Sequence, residues 1–328
     1  MEISETKKIS LLAILRILKA ESDVDHPLTH GDIIDILDRD YGVKIERKAV
    51  GRNIAILNEI GYETETTKKG SYLLSRKFED SELHLLIDCV LSSNYISEKH
   101  SADLIEKIAG LSNKYFNSRV AYKYSVNEWN KTDNKTLFYN IEQIDEAIGN
   151  GRQIRFEYYK YGTDKKLQRT SLNVLSPYQM IVHNQKYYLM GYNEKWKNIV
   201  FYRMDRIRNL NLTDDTVTPL NSLEGYENGI DYKMFSSYMP YMFADKPKRV
   251  EMIVKENVID DVIDWFGKDV SVAKYGVDYY VGVTASENAM EYWAMQYLNS
   301  VEIIKPQSLR EKIKNNLAAA SEKYNQQP

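Results

Sequence analysis

The apolar residues of the chain change their spacing several times, and each change marks a new element. Residues 7–20 place Ile9, Leu12, Leu15 and the apolar residues that follow at helical spacing, the signature of an amphipathic helix. Pro27 interrupts the chain. Thr29 with Asp32 three residues on forms a capping pair, which predicts a second helix through Ile33, Ile34, Ile36 and Leu37, stopping near Gly42. Residues 46–60 predict a third, with Val50, Ile54 and Leu57 on one stripe and Gly61 at its end. Two short alternating segments, around 62–66 and 71–75, are joined by Lys68-Lys69-Gly70 and read as a hairpin.

Three helices and a hairpin in this order give a winged helix-turn-helix pattern. Residues 79–118 predict two more helices, one striped by Leu83, Leu86, Ile87, Val90 and Leu91, the other by Leu104, Ile105, Ile108 and Leu111. Another helix is expected over 137–149. From 152 the period drops to two. Strands are expected at Ile154–Tyr158, Gln168–Val174, Gln179–Val182, Tyr187–Tyr192 and Ile199–Met204, a small barrel. Residues 219–247, with Pro219, Gly225, Gly229, Pro240 and Pro247, read as a linker. Beyond it the order strand, helix, strand, strand, helix, strand, helix predicts a ferredoxin-like βαββαβ unit with a terminal helix. The expected class is α+β multidomain: a winged helix-turn-helix at 1–76, a helical linker at 77–134, a barrel at 135–218, a linker at 219–247 and a C-terminal domain at 248–328.

Charge sharpens this division. The 328 residues carry a formal net charge of only −3. By segment the balance is −5 for 1–150, +8 for 151–212 and −6 for 213–328. The basic segment also holds eight of the 26 tyrosines. Basic and aromatic residues interleaved in this way suit an anionic ligand with stackable rings. Arg155, Tyr158 and Arg169 are candidate contacts by chemistry and strand position. On the third helix, Lys48 and Arg52 point away from the apolar stripe, where a recognition helix meets the major groove. Arg52 suits a guanine edge, Lys48 or Arg47 base or phosphate, and Lys68 and Lys69 phosphate at the wing. Gly51 removes bulk near the same face.

Other chemistries lack their residues. One cysteine, Cys89, excludes a disulfide framework within the chain and a Cys-based zinc site, and fits a reducing cytoplasm. Its place on an apolar stripe predicts an inert buried thiol. The five histidines show no ligand spacing; His26 and His30 flank Pro27 in an expected loop. There is no phosphate loop, dinucleotide fingerprint or nucleophile elbow. No apolar run approaches the ~18 residues that span a bilayer, and the N-terminus lacks a signal-peptide core. The expectation is a cytoplasmic non-enzyme without cofactor or metal. A nucleic-acid-binding adaptor or a nucleotide-processing enzyme is the alternative.

The order of parts and three motifs resemble the WYL-domain transcriptional regulators. The motifs are Ser176-Pro177-Tyr178, Tyr187-Tyr188-Leu189-Met190-Gly191-Tyr192 and Phe201-Tyr202-Arg203-Met204-Asp205-Arg206-Ile207. The name-giving Trp-Tyr-Leu reads Tyr187-Tyr188-Leu189 here. Arg47 to Ile54 is similar to the family's recognition helix, with Ala49 where Thr is usual and Asn53 where Asp is usual. Pro306-x-x-Leu309-Arg310 looks like the family's C-terminal extension. The resemblance implies double-stranded DNA binding through the N-terminal domain, with Asn53 among the contacts, and an Sm-like barrel sensing an anionic effector, a nucleotide or nucleic acid fragment. By motif it points to Tyr178, Tyr188, Arg203 and Arg206 as pocket residues. Helix-turn-helix logic adds a homodimer on two half-sites.

Overall fold

The computed structural model describes residues 3–120, 131–132, 134–231, 241–243 and 245–325. The chain divides into two compact units, Met1–Lys135 and Thr136–Pro328.

The first unit begins with α1 (Ile3–Glu21), α2 (His30–Tyr41) and α3 (Arg47–Glu59). Their stripes meet in one core, where Ile14, Leu18, Ile33, Leu37, Val50 and Leu57 are fully buried. The capping pair is present: the Asp32 amide donates to Thr29 Oγ1 at 3.2 Å, and the Thr29 amide donates to Asp32 Oδ2 at 2.8 Å. The hairpin β1 (Thr64–Thr67) and β2 (Gly70–Leu73) follows. Leu28 and Ser71 exchange backbone hydrogen bonds of 2.9 and 2.8 Å, so the α1–α2 loop extends the hairpin. His30 lies not in a loop but at the start of α2. Three helices, not two, come next: α4 (Asp80–Ser92), α5 (Glu98–Ala109) and the short α6 (Lys114–Val120). Phe116 of α6 is fully buried against Leu83 and Ile87. Seven residues are too few to show a periodic stripe. Cys89 is exposed, contrary to its expected burial, because α4 turns Leu83 and Ile87 into the core and Cys89 with Leu85 outward.

The second unit opens with α7 (Leu137–Gly149), which packs on a five-stranded antiparallel sheet. Its strands are β3 (Arg152–Tyr161), β4 (Leu167–His183), β5 (Lys186–Asn193), β6 (Asn198–Arg203) and β7 (Ile207–Thr216). The order is β6-β5-β4-β3-β7. The sheet curls strongly: Phe156 and Tyr158 of β3 touch Tyr202 of β6 at ring separations of 5.0 and 4.9 Å, although two strands lie between them in the order.

Two strand assignments change. The segments 168–174 and 179–182 are one 17-residue strand, β4. Pro177 lies inside it, and the register shifts between Pro177 and Gln179, a bulge that absorbs the missing N–H. The expectation also omitted β7. Its alternation fails at Asn209, whose φ is 51°, so that Ile207 and Leu210, three residues apart, are both buried. The segment beyond β7 is not a free linker. Leu220, Leu223, Tyr226, Ile230 and Met242 pack on Met190 and Ile199.

The chain then forms β8 (Lys248–Val254), α8 (Ile259–Phe266), β9 (Ser271–Tyr275), β10 (Asp278–Ala285), α9 (Glu287–Gln296), β11 (Val301–Lys305) and α10 (Gln307–Asn325). The antiparallel sheet order is β11-β8-β10-β9. Val250, Met252, Val281, Val262, Met290 and Trp293 fill its core without exposure.

Candidate functional site

In the first unit the burial of Val50, Ile54 and Leu57 fixes the rotation of α3. At 3.6 residues per turn this turns Lys48 and Arg52 to the surface; both are exposed, as is Arg47, the first residue of the helix. Asn53 is half-buried instead. Its amide donates one hydrogen bond to the Ala49 carbonyl one turn back at 2.8 Å. Gly51 sits at a close helix contact. A Cβ there would stand 3.3 Å from His30 Cε1, so the glycine eases the packing of α2 against α3. Lys68 and Lys69 are exposed at the turn of the hairpin.

The second unit gathers a different basic group. The register pairs Tyr188 with Arg203, Met190 with Phe201 and Tyr192 with Ile199. Alternation then sets Lys186, Tyr188, Met190 and Tyr192 of β5 on one face with Ile199, Phe201 and Arg203 of β6. Beyond β6 a single 3-10 turn, Met204–Arg206, redirects the chain. That turn brings Asp205 back under Arg203. The guanidinium donates from Nε to Oδ1 at 3.0 Å and from Nη2 to Oδ2 at 2.7 Å, a bidentate pair. Arg203 keeps 21% side-chain exposure and Asp205 8%.

Arg206 stands apart from this pair. Its Nε is buried with no hydrogen-bond partner. An unsatisfied buried donor of a charged group is costly unless something else accepts from it. The surrounding field is positive. Burial lowers the pKa of Lys186, and Arg203 and Arg206 lower it further. Burial also lowers the pKa of Arg203, but the Asp205 pair outweighs it and the net shift is upward. Burial raises the Tyr188 phenol above its ordinary value. One carboxylate therefore faces three cationic side chains, and it is already engaged by Arg203.

The other expected pocket residues divide. Tyr158 is in the core at 8% exposure; its hydroxyl accepts from the Arg203 amide at 3.3 Å, so it supports the cluster from below. Tyr178 donates to the Thr218 carbonyl at 2.6 Å, while Ser176 Oγ accepts from the Thr218 amide at 3.0 Å. The Ser-Pro-Tyr motif thus fastens the segment after β7 to β4. Arg155 and Arg169 do not join the cluster. Ile154, Phe156 and Tyr158 turn inward, so Arg155 and Glu157 turn outward, and Arg169 pairs with Glu157 at 2.6 Å. Lys186 went unnoticed in the sequence. Its signal was a basic residue two positions before Tyr188, on the same strand face. Gly191 also has a fixed reason: a Cβ would lie 2.5 Å from Leu175 Cδ2, so only glycine lets β4 and β5 approach there. Among the described residues no group of three or more His, Cys, Asp or Glu could hold a metal ion.

Comparison with known proteins finds one domain match. Residues 139–212 match the WYL domain, a stretch running from α7 into β7. No curated protein sequence matches the chain. Among solved structures, proteasome accessory factor B/C (PafBC) of Arthrobacter aurescens is similar at 16% identity over 97% of this chain and 49% of its own, with a TM-score of 0.30. The chain thus spans about half the length of that protein. A CRISPR Cas-related protein is similar at 15% identity over 97% of this chain and 85% of its own, with a TM-score of 0.39.

Proposed function

We propose, from the premise that residues 139–212 form a WYL domain, that this protein is a transcriptional regulator answering to an anionic effector. In this reading residues 1–76 are a winged helix-turn-helix that binds double-stranded DNA, the curled sheet is an Sm-like barrel, and residues 248–328 are a ferredoxin-like extension. The observation that carries it is the outward face of α3, where Lys48 and Arg52 stand exposed opposite a buried stripe, with Arg47 exposed at the helix start. Arg52 reads base edges and Lys68 and Lys69 grip phosphate at the wing. The protein acts as a homodimer, since two half-sites require two recognition helices.

The effector half of the proposal rests on the unpartnered Arg206 Nε beside Lys186 and Arg203. A phosphate there accepts from Arg206 Nε, which otherwise lacks a partner. The protein binds the effector without converting it. The effector acts by preferring one arrangement of the dimer, which couples the two binding events.

A shift assay on randomised duplex DNA, followed by selection, would supply the operator. Arg52→Ala should then weaken specific binding by about 1–3 kcal/mol. Unchanged affinity in Arg52→Ala and Lys48→Ala would sink the assignment of α3.

A further inference from the structure

The last helix, α10, rests on its domain by its first half alone. Of its 19 residues only Leu309 and Ile313 are buried. Polar bonds tie it on two sides. Toward α9, Asn316 Nδ2 donates to Glu291 Oε1 at 2.7 Å, and Lys312 lies 3.8 Å from the same carboxylate. Toward β11, the edge strand of the sheet, Arg310 Nη2 donates to Glu302 Oε1 at 2.6 Å and its Nη1 donates to the Ile303 carbonyl. Between these ties α9 offers only the small Ala294. A cavity of about 440 Å³ remains between α9, β11 and α10. Its walls are aliphatic: Ala294, Leu298, Val301, Ile303, Ile313 and Leu317. Leu317, 40% exposed, stands at the mouth. Arg310, Lys314 and Glu302 complete the lining.

We propose that this cavity binds a medium-chain fatty acid, with the tail among the aliphatic walls and the carboxylate at Arg310 and Lys314. The volume lies within the range of small-molecule sites. Walls without an aromatic ring give a planar ligand nothing to stack on, so a saturated chain suits them better. The head group follows from the helix rows. Arg310 and Lys314 stand one turn apart on α10, and Ile313 and Leu317 form the row beside them, so a tail along one row brings its head to the other. Two cations there face one carboxylate, Glu302, which Arg310 already engages. Arg310 uses two of its five N–H groups among the described residues, which leaves donors for a second carboxylate. Lys314 is held only loosely, 3.6 Å from Glu311 with its side chain 74% exposed, and can turn to the mouth. The lining lies outside residues 139–212, so this ligand is independent of the effector proposed for the WYL domain.

Calorimetry on the full chain, below micellar concentrations, tests this with hexanoate, octanoate, decanoate, decanol and decyltrimethylammonium. Affinity should rise about fourfold per buried methylene, hence about sixteenfold from octanoate to decanoate. Decanoate should bind about tenfold tighter than decanol or the ammonium, the worth of a hydrogen bond to a charged group. Ala294→Leu fills the cavity, and Leu317→Gln makes its mouth polar. Each should weaken decanoate about tenfold. Lys314→Glu should remove the advantage of decanoate over decanol and leave decanol unchanged. Leu317→Gln changes an exposed side chain and decides alone if Ala294→Leu does not fold. Affinity that does not grow with chain length overturns the proposal, as does decanol or the ammonium matching decanoate. Decanoate binding unchanged in both wall variants places the ligand elsewhere and overturns it too. So does the absence of binding by every member of the series.

Discussion

Burial acts on two cations beside Arg203: it lowers the pKa of Lys186, and it leaves Arg206 Nε with no hydrogen-bond partner. Folding depresses the pKa of Lys186, so the folded protein holds this proton less tightly than the unfolded chain. The charged form costs stability below the unfolded pKa, and the cost disappears once pH rises above that value. A bound anion reverses the shift, because it favours the ammonium. Anion binding should therefore take up protons as pH approaches the depressed pKa, and affinity should fall as pH rises through the pKa of the bound state. Calorimetry in two buffers of different ionisation enthalpy reads the uptake directly, and Lys186→Met should abolish it. A proton uptake unaltered in Lys186→Met would assign the titration elsewhere. Asn53 teaches a different lesson. Its side chain is polar and on α3, yet one of its two N–H groups is used locally in the bond to Ala49.

Elements differ in how far their ends are set by local bonds. The start of α2 is fully local: Thr29 and Asp32 satisfy each other's amides within three residues. Thr29→Ala should cost about 1 kcal/mol of unit stability, the usual value of such a cap. Chemical denaturation of the 1–135 fragment, a compact unit by itself, measures it. A loss below a few tenths of that would mean that the hairpin and core hold α2 without the cap. The strand β4 lies at the other extreme. It runs through Pro177 only because the bulge and the Thr218 bonds of Ser176 and Tyr178 hold it in register. Local reading cut it in two at the proline. β7 was overlooked for a related reason, since the left-handed Asn209 breaks the period that identifies a strand.

At the scale of the whole molecule the two units divide the proposed labour, DNA in Met1–Lys135 and effector in Thr136–Pro328. Coupling between them is a free energy and is reciprocal. The fragment 1–135 should bind operator DNA with no response to the effector, whereas the full chain should respond. Titration of both with adenosine 5′-phosphate in a DNA-shift assay checks this. A response retained by the fragment would place the effector site in the first unit.

The sequence by itself determined the kind and order of most elements, because period and caps are local properties. It also located the basic, tyrosine-rich segment, because charge can be counted without knowing neighbours. Alternation along each strand even told which residues share a face. It did not tell which strand lies beside which, or where a chain turns back. Arg155 and Arg169 have the same chemistry as Arg203 and Arg206, yet the first pair lies on the outer face of β3 and β4. The second pair meets Lys186 through the β5–β6 register and one 3-10 turn. Only tertiary structure makes that choice, since burying a cation is decided by everything packed around it. The cavity between β11 and α10 was equally hidden. It exists because the bonds of Asn316 and Arg310 tie α10 to α9 and β11 on its two sides, and Ala294 is too small to fill the space between them.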